Sequence, residues 1–250
     1  MIRRVRWILS AIACMSLAAC GVEDRASLPT DEPGETIERL EPQMDDATYL
    51  YRLGLMRGHL LVGNALFEIG EQAAAGTHSK HPTDELYEPM ETEFAARGSG
   101  GFAAELQAHA EAVARRDQAD VQSRYAELIS AIAENEDVVD FSPALVAEVI
   151  ARLVREAAQE YAIGIVDGVP ANAHEYQDAY GFTQVAGLWA QRAAADHPGH
   201  ESVFGRIREA IDGVSDMWPA LLPPAEVSHK ASRLYGVAAD IEIIALDLPR

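Results

Sequence analysis

Apolar residues recur at helical spacing along most of the chain after residue 45. In the segment that begins at Asp45, they would line one face of a helix that ends just before Gly76. The apolar positions are Tyr49, Leu53, Met56, Leu60 and Phe67. Beyond the N-terminal region, the sequence lacks the sustained period-two alternation that is typical of strands, so we predict an all-α fold.

Capping residues, prolines and glycines divide the rest of this pattern into further helices. Pro82 suits the first turn of a second helix, and a third runs from Phe102 to about Glu134 with a break near Asp117. Ser142 is a good N-cap for the next helix, with Pro143 at its first position. Three more helices are predicted: Asn172 to Ala195, Glu201 to Met217, and Ala225 to about Leu246.

The positions of the histidines favour an internal duplication. They fall into two sets of four, His59, His78, His81 and His109, then His174, His197, His200 and His229. Each half reads as helix, His-x-x-His loop, helix, break and helix. We therefore predict two tandem helical-bundle halves, 44–138 and 139–250, with a linking helix over 142–167. The alternative is that helical hairpins with polar loops resemble each other without a common origin.

The first 19 residues are typical of a bacterial export signal. Three arginines precede an apolar stretch that is too short to span a bilayer. The sequence Leu17-Ala18-Ala19-Cys20 resembles a lipobox, which implies cleavage before Cys20 and acylation of that residue, with palmitate in the anchor. An ordinary secretory signal that is cut nearby is the alternative.

The lipobox also leads to a predicted location. Gly21 next to the anchor implies sorting to the outer membrane, with the protein facing the periplasm. Residues 20–43 are acidic and proline-rich, as expected of a flexible tether between the acylated cysteine and the helical body.

The net charge of −20 narrows the choice of partners. Such an acidic chain repels nucleic acid and attracts cations, so we expect no nucleic-acid function. Three kinds of partner remain: the membrane, which the lipid anchor would contact, a metal ion, and a protein of the cell envelope.

The two His-x-x-His loops are the best candidates for metal ligands. Imidazoles and carboxylates that converge from several elements bind transition metals, and a carboxylate lies close to the second histidine of each loop. The predicted ligands are His78, His81, Glu85, His197, His200 and Glu201. Iron, zinc and copper all suit this ligand set.

The remaining histidines are less clear as ligands. His59 lies nineteen residues before His78 and can share a site with it only if the helix breaks or another element closes on it; a core position is favoured. His109 and His229 are expected to be exposed. The sequence HEYQD, which begins at His174, resembles part of a zinc-protease motif, but a solvated helix start is favoured over a zinc hydrolase.

Lipobox, acidic tether, helical body, duplication and the sequence GTHSKH together resemble the imelysin-like family of bacterial periplasmic and lipid-anchored proteins. That family has two related helical-bundle halves, a G-x-H-x-x-E signature and a frequent link to iron-uptake genes. Gly76 and His78 match the signature, whereas His81 stands where the family has Glu. The substitution keeps a metal ligand but removes a negative charge.

These observations lead to one main functional hypothesis and one alternative. The main hypothesis is a non-enzymatic lipoprotein that binds a transition metal through histidines and carboxylates, in metal uptake or homeostasis. The alternative is a metal-free helical scaffold of the cell envelope.

Overall fold

Nine α-helices carry almost all the regular structure of residues 42–249, the part of the chain that the computed structural model describes. The all-α prediction is therefore confirmed. The helices are α1 Asp46–Glu68, α2 Gln72–His81, α3 Glu91–Ala96, α4 Ala103–Arg115, α5 Gln118–Glu136, α6 Pro143–Gly164, α7 Ala173–Asp196, α8 Glu201–Asp212 and α9 Ser232–Ile244.

Short polar side chains fix where the long helices begin. Asp45 accepts a hydrogen bond from the backbone N–H of Thr48 at 2.7 Å, and Ser142 accepts one from Leu145 at 3.3 Å. Asn172 does the same for the backbone N–H of His174 at 3.0 Å. Each cap satisfies a donor that would otherwise lack a partner in the first helical turn.

The first predicted helix is in fact two helices. It breaks after Glu68, and Gly70 adopts a φ of 87°, a left-handed conformation that favours glycine. The chain then folds back as α2, which packs against α1. The predicted GTHSKH loop is wrong, because His78 and His81 lie in the last turn of α2.

Proline shapes the segment that follows α2. Residues Pro82–Tyr87 form a π-helix and Glu88–Met90 a 3₁₀ turn before α3. Because Pro82 and Pro89 have no N–H to donate, regular α-helical bonding is interrupted here. The predicted break near Asp117 is present, with Arg116 at a φ of 61°.

Two features at other helix ends differ from the sequence prediction. The last helix begins at Ser232 rather than Ala225. Between α6 and α7, the strands β1 (Ile165–Val166) and β2 (Val169–Pro170) form an antiparallel hairpin. Each strand has two residues, which is too short to produce a period-two pattern.

The helices pack as two sets of four, and within each set every helix contacts the next around a ring. The first set is α1, α2, α4 and α5, and the second is α6, α7, α8 and α9. Helix α1 also packs against α6 and α7, so the main hydrophobic core is continuous between the sets. The duplication and the boundary at residue 139 stay predictions.

Two glycines allow α1 and α7 to approach closely. A Cβ atom at Gly181 would lie 2.5 Å from the carbonyl oxygen of Gly58. A Cβ atom at Gly58 would lie 2.4 Å from the Cδ1 atom of Phe182. The crossing brings His59, the neighbour of Gly58, against the face of α7 that carries Asp178.

A buried carboxylate also ties α1 and α7 to α5. Glu136 at the end of α5 is fully buried. Its Oε2 atom accepts hydrogen bonds from Arg57 of α1 at 3.1 Å and from Arg192 of α7 at 3.3 Å. The two guanidinium groups compensate the buried charge.

The predicted signal peptide at 1–19, the acylated Cys20 and all but the last two residues of the 20–43 tether lie outside the described residues. Within 42–249, none of the helices is long and apolar enough to cross a membrane.

We expect Gly181→Ala to lower the free energy of unfolding by about 1–3 kcal/mol, because the new methyl group would force the two backbones apart. Gly205 in α8 is the matched control, since a Cβ there meets nothing within 4 Å among the described residues. Gly205→Ala should raise stability by about 0.5–1 kcal/mol through helix propensity. Urea denaturation measures both changes; equal effects of the two substitutions would contradict the close crossing.

Candidate metal centre

The carboxylate of Asp178 lies where α1, α2 and α7 meet, and imidazoles approach both its oxygens. The Oδ1 atom is 2.6 Å from Nδ1 of His59 and 3.1 Å from Nδ1 of His78. The Oδ2 atom is 3.0 Å from Nδ1 of His174. Asp178 is only 2% exposed, so three nitrogens converge on a carboxylate that is shielded from water.

Each imidazole reaches the centre from a different part of the fold. His59 is placed by the glycine crossing of α1 and α7, and His78 by the turn at Gly70 that folds α2 back. His174 lies one helical turn before Asp178 on the same face of α7. The His78 and His174 rings stack at 4.0 Å between centroids with an angle of 8° between their planes.

Gln177 fixes the tautomer of His78. The Nε2 atom of His78 lies 2.9 Å from Oε1 of Gln177, and an amide oxygen accepts, so Nε2 is the donor. In a neutral ring Nδ1 then carries a lone pair. Among residues 42–249, this buried Nδ1 has no hydrogen-bond partner of suitable geometry, although it faces Oδ1 of Asp178.

The cluster favours an ionised carboxylate. Burial alone would raise the pKa of Asp178, but hydrogen bonds from His174 and His59 hold it well below its usual range. Burial lowers the pKa of His59. The hydrogen bond between His174 and Asp178 raises the pKa of His174. The centre therefore holds a buried negative charge that is compensated by imidazoles.

His81 lies at the outer edge of the cluster. Its ring centroid is 4.7 Å from that of His59 and 5.3 Å from that of His174. Its side chain is 27% exposed, and its Nε2 atom lies 3.0 Å from Oε2 of Glu85, which is largely in solvent. The pair thus borders the side of the centre that faces water.

Carboxyl groups flank the other side. The Oε2 atom of Glu175 is 3.9 Å from Nδ1 of His174, and Glu160 of α6 lies beside Glu175. Burial and the neighbouring Glu175 carboxyl group raise the pKa of Glu160 to about 8.

A family model of the iron permease-associated four-helix bundle domain matches residues 139–243. The match spans α6, α7, α8 and nearly all of α9, the second set of helices, and less than half of the 250 residues. No match was found among curated proteins or among solved structures.

This match corrects two expectations from the sequence. The resemblance to imelysin-like proteins is wrong, because the family that matches is a different one. The predicted outer-membrane location is wrong as well, because the matched domain is associated with an iron permease rather than with an outer-membrane lipoprotein.

The structure separates the two predicted His-x-x-His sites. Among the described residues, two groups of at least three potential ligands have atoms within 4.8 Å of one another: His59, His78 and Asp178, and His174, Glu175 and Asp178. Neither includes His81 or Glu85 from the first predicted site, or His197, His200 or Glu201 from the second loop. Glu201 instead accepts a hydrogen bond from the backbone N–H of Gly199 at 2.7 Å.

Sequence reasoning underrated three residues of the centre. The sequence pattern favours a core position for His59 and a solvated helix start for the HEYQD segment that holds His174 and Asp178. The condition under which His59 and His78 share a site, a broken helix, is met at Gly70. The helical spacing of His174 and Asp178 was the other available signal.

His109 was expected to be exposed, but it is fully buried in α4. Its ring lies 5.8 Å from that of Tyr125, and both ring nitrogens lack hydrogen-bond partners within the described part of the chain. Burial lowers the pKa of His109 from 6.5 to about 4.

This buried histidine predicts acid sensitivity. Between pH 6.5 and 4 the unfolded chain binds a proton at His109 that the folded chain does not, so the stability present above pH 6.5 is lost as the pH falls through this window. The loss amounts to at most about 3 kcal/mol.

We expect His109→Leu to remove this part of the pH dependence and to stabilise the fold at pH 5. Denaturant unfolding at pH 7.5 and pH 5 measures it, with His229→Leu as a control on a partly exposed histidine. An unchanged pH dependence in His109→Leu would show that His109 is not held neutral.

Proposed function

We propose that this protein binds a transition-metal ion between Asp178, His59 and His78, and that it serves iron uptake beside a membrane permease. The ion takes the place of the proton that now bridges His59 and Asp178 and lies within reach of the lone pair on Nδ1 of His78. His81 borders the open side of the same site and is the fourth candidate ligand.

The contact between His78 and Asp178 carries this proposal. In the neutral ring, a lone pair on Nδ1 of His78 faces a carboxylate oxygen at 3.1 Å, which is repulsive unless a proton or a metal ion lies between them. The other nitrogen of the same ring donates to Gln177, an arrangement that is typical of metal-binding histidines because it fixes the tautomer and the ring orientation.

A comparison with Glu136 supports a metal rather than a purely structural role. Glu136 is buried against two arginines, whose charge is permanent. The close partners of Asp178 are imidazoles, which lose a proton readily and then offer lone pairs to a metal. A carboxylate held in this way can exchange protons for a cation.

The choice of iron rests on the matched domain. Imidazole with carboxylate suits iron, zinc and copper alike. The second helical set is similar to a domain associated with an iron permease, and the net charge of −20 attracts cations toward the protein. Delivery of iron to a permease is the role that fits both observations.

The direct test is metal binding by the purified full chain after treatment with a chelator. With ferrous iron added anaerobically, wild-type protein should retain metal through gel filtration and gain thermal stability. At a free iron concentration of one hundred times the Kd, the gain is about 2.7 kcal/mol. Asp178→Asn and His78→Ala should abolish both effects, and Gln177→Leu should weaken affinity about 10–100-fold through loss of ring orientation.

The double variant His197→Ala, His200→Ala is the matched control. It removes two histidines at the predicted spacing from the second loop and should leave iron binding unchanged. Retention of metal by Asp178→Asn together with its loss from the control would place the site in that loop. Absence of metal from every protein would favour the metal-free scaffold.

A further inference from the structure

We propose that the centre holds two cations bridged by Asp178, with the second position formed by Oδ2 of Asp178, His174, Glu175 and Glu160. This inference rests on the proposed function and extends the ligand set to α6.

The two oxygens of Asp178 face different ligand groups. Oδ1 is directed to His59 and His78, whereas Oδ2 is directed to His174. A carboxylate placed in this way between two ligand groups has the geometry of a bridge. In two-metal sites the ions lie about 3.5–4 Å apart, which a shared carboxylate spans.

The Oδ2 side offers a ligand set of its own. Potential ligand atoms of His174, Glu175 and Asp178 all lie within 4.8 Å of one another. The Nδ1 atom of His174 faces both carboxylates, at 3.0 Å from Oδ2 of Asp178 and 3.9 Å from Oε2 of Glu175. Glu160 lies outside this group, beside Glu175 on the neighbouring helix α6.

The spacing of acidic residues in the second set repeats that of the histidines in the first. His59, His78 and His81 are separated by 19 and 3 residues, and Glu156, Glu175 and Asp178 are separated by the same two intervals. His59 and Glu156 are each the fourteenth residue of the first helix of their set, α1 and α6. One half thus places imidazoles where the other places carboxylates.

The two positions differ in chemistry. The first has two imidazoles and one shared carboxylate, whereas the second has one imidazole and up to three carboxylates. Oxygen-rich ligand sets favour harder cations such as manganese and iron, and nitrogen-rich sets accept zinc and copper as well. Every such site binds copper more tightly than manganese or iron, but the second position should accept manganous ions more readily than the first position does.

Metal stoichiometry tests this inference. Wild-type full chain that is loaded anaerobically with ferrous iron should hold two ions per chain, and Glu160→Gln, Glu175→Gln should hold one. The matched control Glu201→Gln, Glu209→Gln removes two exposed acids of α8 and should hold two. Circular dichroism checks that each variant is folded.

Loading with manganous ion gives a second readout that needs no variant. Two ions bridged by a carboxylate should give an exchange-coupled electron paramagnetic resonance spectrum, whereas isolated ions give a six-line spectrum. One ion in both wild type and Glu160→Gln, Glu175→Gln, with a six-line spectrum, would overturn the second position and leave the proposed function standing. Absence of bound metal from wild type would overturn both.

Discussion

The structure depends on how the buried charge of Asp178 is compensated. A carboxylate that is removed from water is costly unless cations or hydrogen-bond donors surround it. Three imidazoles, one each from α1, α2 and α7, surround the carboxylate. The packing of these three helices brings the imidazoles to it. Glu136, which is buried under arginines, shows the permanent solution to the same problem. The imidazoles around Asp178 provide a solution in which the compensating protons can be exchanged.

The centre joins the two sets of helices. His59 and His78 come from the first set, outside the region that is similar to the iron permease-associated domain, and Asp178 and His174 come from within it. The contact between Gly58 and Gly181 sets the distance between α1 and α7 at this point. Under the proposed function, metal binding would therefore be coupled to the packing of one set against the other, and loss of the ion would loosen that packing first.

Much of the fold can be read from the sequence, and the site only in part. Periodicity and caps identify most helices, because Ser142 and Asn172 act locally. The π-helix after Pro82 and the return of the chain at Gly70 depend on packing between helices. The periodicity within one helix does not predict that packing. His78 is recognisable as a candidate ligand, and helical spacing pairs Asp178 with His174. The contact of Asp178 with His59, 119 residues away in the chain, is not visible in the sequence. The repeated histidine spacing predicts ligands in the second loop, but that loop lies outside the histidine cluster around Asp178.

Anomalous diffraction at the iron edge tests the account most directly. Crystals of the full chain that are grown anaerobically with ferrous iron should show a peak about 2.0–2.2 Å from Nδ1 of His78 and from a carboxylate oxygen of Asp178. Peaks confined to the surface, with His59 still hydrogen-bonded to Asp178 and no ion between them, would contradict the account.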